Sequence, residues 1–81
     1  MKSDKELIKD LINERLDLLR RYNKLAVFIY SKDYYKLSEF DQILIDRQYI
    51  HMGRYLDVLE ERINNVEMRL KWWKQLIYIM E

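Results

Sequence analysis

Arg47, His51 and Arg54 stand at i, i+4 and i+7, a spacing that puts all three on one face of a helix, with Gln48 and Tyr55 at its edges. Two guanidinium groups and an imidazole so placed suit a phosphate or a carboxylate, because each arginine offers paired donors to either anion. The same spacing also describes an ordinary solvated helix face. Gly53 lies beside the cluster. A glycine inside a helix costs ~1 kcal/mol against alanine and often marks close approach of another backbone or a ligand.

Other chemistry-bearing groups are less pointed. Arg20, Arg21 and Lys24 form a second basic group, with Asp17 placed to pair with Arg21 at i+4, and read as a solvated face. Tyr34, Tyr35 and Lys36 could stack on a base or anchor a partner, or simply plug the end of a helical bundle. Asp57, Glu60 and Glu61 are carboxylates on a helix surface with no pocket to raise a pKa, and His51 has no serine, cysteine or acid at a defined spacing, so no catalytic residue is expected. With no cysteine and one histidine, neither a metal site nor any cofactor is expected.

One glycine and no proline in 81 residues is the composition of an all-α protein, since sheets need turn residues. A single domain of this size has a marginal core, leaving regular helix packing and self-association to stabilise it. Fifteen Lys and Arg against fourteen Asp and Glu lack the basic excess of a nucleic-acid binder, so direct DNA or RNA binding is not expected. The start of the chain is too polar for a signal peptide, and no apolar run approaches a membrane span. The cytoplasm is the expected compartment.

Two helices must position these groups. Ser3 with Glu6 forms a capping box, opening a helix over about residues 4–30. Ile8, Leu11, Arg15, Leu18, Tyr22, Leu25 and Ile29 follow a three-four spacing on it, with Ile12, Leu19 and Ala26 widening the stripe. Arg15 is expected to snorkel from the seam edge. Residues 31–37 form a short extra turn, with Tyr34, Tyr35 and Leu37 closing the end. Ser38 caps a second helix over about 39–80. From Ile45 through Tyr49, Met52, Leu56, Leu59, Ile63, Val66, Leu70, Trp73 and Ile77 to Met80, an unbroken apolar seam runs down it.

Unbroken, that helix spans roughly 42 residues and ~63 Å, against ~40 Å for the first. Folded back as an antiparallel hairpin with coiled-coil-like packing, the first helix covers the second to about Val66. Leu70, Trp72, Trp73, Leu76, Ile77, Tyr78 and Ile79 are then left bare and require a partner, most simply a further copy in a homo-oligomer. The alternative is a three-helix bundle in which the chain breaks at Asn64-Asn65. The seam keeps its phase across the asparagines, which favours continuity. Trp72 and Trp73 beside Lys71 and Lys74 would also fit a membrane-surface helix, but the seam through them is the one that packs upstream, so membrane contact is not expected.

The order Leu25, Phe28, Ser31, Tyr35, Leu37, then Ile43, Leu44, Gln48, Met52, Tyr55, Leu59, Arg62 and Ile63 resembles a family of small helical bacteriophage proteins first catalogued in crAss-like phages. The resemblance covers about residues 16–63 and leaves the tail with Trp72 and Trp73 outside. The run Ile45, Arg47, Gln48, His51, Met52, Gly53 and Leu56 is similar, without residue-by-residue alignment, to the second helix of phage anti-CBASS proteins, helical hairpins that sequester cyclic-nucleotide immune signals.

These likenesses imply a counter-defence protein in the infected bacterial cell. A nucleotide signal would be held in a helical oligomer at Arg47, His51, Arg54 and Tyr55. A protein inhibitor of a host defence nuclease or CRISPR effector would instead present Tyr34 and Tyr35 or the tail. A structural or regulatory oligomer is the third possibility.

Overall fold

Serine caps set where the long helices begin. In this computed structural model, which describes residues 2–80, Ser3 is extended and its Oγ accepts the Glu6 N–H at 3.2 Å, satisfying one orphan donor at the start of α1 (Asp4–Ile29). Ser31 then opens a single turn, α2 (Lys32–Tyr35), and its hydroxyl donates back to the Phe28 carbonyl at 2.6 Å. Ser38 Oγ accepts the Asp41 N–H at 3.1 Å as α3 (Glu39–Met80) begins. Among the described residues there is no strand, and no helix is long and apolar enough to cross a membrane.

As α1 is followed forward, its partners on α3 fall at decreasing number. Asp4 is hydrogen-bonded by Arg69 at 3.0 and 3.2 Å, Glu14 accepts from Tyr55, and the Tyr22 ring stacks on Tyr49 with centroids 4.4 Å apart. Between these contacts lies the core. Leu11 and Leu18 of α1 meet Leu56, Leu59 and Val66 of α3, with Tyr22, Met52, Ile63 and Leu70 packed at its edges. Every one of these α3 residues belongs to the expected seam. The molecule is elongated, 65 × 23 × 15 Å.

The alternative with a break at Asn64-Asn65 is overturned, because α3 runs through both residues as one 42-residue helix. Both asparagines are exposed, so their weak helix propensity costs only tenths of a kcal/mol each. Half-buried Ile63 and buried Val66 on either side keep the helix pinned to α1. The coverage is also longer than the residue count suggests. α1 reaches Arg69, and Leu70 joins the core instead of lying bare. Arg15 differs from expectation too: its Nε is buried with no hydrogen-bond partner in the chain, so more than the aliphatic stem is drawn inward. Asp17 pairs with Arg20 at 3.6 Å, the i+3 rather than the i+4 arginine.

Two measurements check this packing. Leu59 is completely buried, and Leu59→Ala is expected to cost about 2–5 kcal/mol in urea unfolding. The second concerns Asp4. Hydrogen bonding from Arg69 holds its carboxyl below the usual carboxylate value. A carboxyl whose folded pKa is depressed contributes stability above its unfolded pKa and loses it as pH falls through the folded one. Asp4→Asn should therefore flatten the acid limb of a stability-versus-pH curve below about pH 4 and leave the neutral and alkaline limbs unchanged in shape.

Candidate functional site

The seam decides what else on α3 can reach solvent. Residues two positions beyond Ile45, Tyr49 and Met52 are turned away from α1, and these are Arg47, His51 and Arg54. All three are exposed. Among the described residues no ion pair engages them, although four pairs form elsewhere. The result is a cationic strip about two turns long on an uncovered helix face.

Tyr55 borders this strip, and its hydroxyl donates to the Glu14 carboxylate on α1. That hydrogen bond, then desolvation, pushes the phenol pKa up. The ring is 43% exposed, so an aromatic surface remains beside the arginines while the hydroxyl is already engaged. Gly53 does mark a close approach, but the neighbour is a side chain of the same molecule. A Cβ placed on it would meet the Tyr22 ring at 3.4 Å.

The tip separates its two tyrosines. Tyr34 is buried, packs edge-to-face on Phe28, and donates to Asp46 at 2.8 Å. Tyr35 stands 71% exposed on the other side of the one-turn α2. Tyr34 therefore closes the end, and what a partner can reach at the tip is Tyr35. Adjacent residues on a helix point about 100° apart, but two neighbouring tyrosines carry no signal of which one turns inward.

On α3 beyond Leu70 nothing from α1 lies opposite. Trp72 and Trp73 are more than 60% exposed and, with Asn65, Met68 and Arg69, line a shallow groove of about 390 Å³. Ile77 is 56% exposed and Leu76 half-buried. The groove is large enough for a small ligand, yet it lies several turns from the cationic strip, so the two do not form one site. A further apolar groove, not anticipated as such, runs between the helices near the tip and is lined by Ala26, Tyr30, Tyr49 and Ile50. Ala26, Ile29 and Tyr49 of its lining belong to the stripes read in the sequence, which do not show that the helices leave a groove there.

Among the described residues no cluster of three His, Cys, Asp or Glu side chains could hold a metal ion. A family model described as Sequestin matches residues 5–65, which takes in α1, the tip, the cationic strip and α3 as far as Asn65, and leaves the rest of α3 outside. No curated protein and no solved structure matches the chain.

The Gly53 contact can be tested directly. At 3.4 Å the added methyl makes ordinary van der Waals contact with the Tyr22 ring, so Gly53→Ala should raise stability by about 0.5–1 kcal/mol through helix propensity. Thermal unfolding measures it; a loss instead would mean the Tyr22–Tyr49 stack cannot shift.

Proposed function

The chain belongs to the Sequestin family, and from that premise we propose that it acts by binding rather than by catalysis, holding a small anionic nucleotide signal in a helical oligomer. The family's name is that of a sequestering protein. The observation that carries the ligand class is the strip of Arg47, His51 and Arg54, exposed, without ion-pair partners among the described residues, and edged by the Tyr55 ring. Arginines hold phosphate oxygens through paired hydrogen bonds, and an aromatic face takes a base by stacking. A cyclic di- or trinucleotide presents both groups in one rigid molecule. The helices form an antiparallel hairpin, and the strips of neighbouring hairpins enclose the ligand. Counter-defence in a phage-infected bacterial cytoplasm is the setting in which withdrawing such a signal is useful.

A second reading has its own observation. Tyr35 and Phe40 are 71% and 68% exposed at the tip, and large exposed aromatics are the common anchors of protein interfaces. They would suit a helix-in-groove contact with a host defence protein.

A thermal-shift series separates the two. Cyclic di- and trinucleotides at a hundredfold excess over Kd should stabilise the protein by about 2.7 kcal/mol, which for a chain of this size is upwards of ~10 °C. Arg47→Glu with Arg54→Glu should abolish the shift without changing the melting temperature of the free protein by more than a few degrees. An absence of any shift at high excess would reject the nucleotide reading.

A further inference from the structure

Beyond Leu70, the last seam residue packed on the core, the α3 seam continues without its partner helix. Leu70, Trp73, Ile77 and Met80 keep the phase of Leu59, Ile63 and Val66, the residues that pack on α1, but Trp73, Ile77 and Met80 are 61%, 56% and 81% exposed. The interface within the chain therefore runs on into open surface. Whatever covers it must stand where α1 would stand if α1 were longer.

We propose that this place is taken by the same stretch of a second copy, running antiparallel, so that two molecules join end to end through their tails. This deepens the oligomeric reading above and names its interface. Two observations carry it. The four seam residues are separated by three, four and three positions, a spacing that reads the same in both directions. An isologous two-fold contact requires such self-complementarity, and the antiparallel register sets Leu70 against Met80 of the second copy and Trp73 against its Ile77. Second, a parallel pairing is blocked. It would run the second copy's α3, upstream of Leu70, into the space that α1 fills along the seam as far as Asp4 and Arg69. An antiparallel copy approaches from the open end and meets no helix there. Against it, Lys74 of the two copies meets on one flank of the axis, an exposed like-charge contact that salt screens.

Four facing seam residues from each copy make a contact smaller than the roughly 1,200–2,000 Å² of stable complexes. The dimer is accordingly expected to be weak and concentration-dependent. It is also long: two 65 Å molecules overlapping over about three helical turns span about 110 Å.

Small-angle scattering of the full chain across micromolar concentrations tests this. The maximum dimension should grow from 65 Å towards about 110 Å. Trp73→Glu with Ile77→Glu, both beyond the reach of α1, should hold it at the monomer value with the helical circular dichroism preserved. Register is tested in the same protein, which contains no cysteine. Trp73→Cys and Ile77→Cys chains mixed under oxidation should form the mixed disulfide, and neither alone should form its own. A chain that stays monomeric, a dimer no longer than the monomer, a dimer unaffected by the glutamates, or a Trp73→Cys homodisulfide would each overturn the proposal. Scattering is read without nucleotide, so failure here is distinct from failure of the ligand titration.

Discussion

A difference in helix length governs this molecule. α3 has 42 residues and α1 has 26, and both present an apolar stripe to the other. Where the stripes overlap, hydrophobic burial stabilises the pair and specifies the register. Where α1 has ended, the stripe of α3 goes on unchanged. A chain with so small a core has little stability to spare, so a run of large side chains left against water is unfavourable unless something covers it. The overlap and the overhang therefore come from one pattern. The family match ends at Asn65, a little over one turn short of where α1 stops covering α3.

The same pattern fixes where chemistry can be displayed. Because the seam takes one side of α3, Arg47, His51 and Arg54 are turned outward. Tyr55, one position before Leu56, sits at the edge, tied by its hydroxyl to Glu14. A rigid helix can hold a strip of donors in place without any loop or lid. That suits the binding role proposed above. A single helix face is open on three sides, so a ligand held there would be enclosed only by a neighbouring molecule.

Much of this was legible in the amino-acid order. Ser3 and Ser38 announce the helix starts because a capping hydroxyl and an acidic first turn are local signals that need no tertiary context. The seam was legible because its period is carried by residue type alone. Its phase across Asn64 and Asn65 also argued correctly for one helix rather than two. Three features were not legible, each for a packing reason. The reach of α1 to Arg69 depends on how much chain the one-turn α2 consumes. The inward turn of Tyr34 and outward turn of Tyr35 depend on the orientation of that turn. The Arg15 Nε is buried where its side chain lines a groove shared with Ile63 of α3, a neighbour that no spacing within α1 reveals.

On the dimer proposed above, one seam is covered twice, first by α1 and then by a second copy. Amide hydrogen exchange followed against protein concentration tests it most directly. Residues 45–69 should exchange at a rate independent of concentration, because their cover is part of the same chain. Residues 71–80, an overhanging helix that frays when alone, should become progressively protected as concentration rises through the micromolar range. Tail amides that exchange equally fast at every concentration, or protection that rises equally along all of α3, would contradict the account.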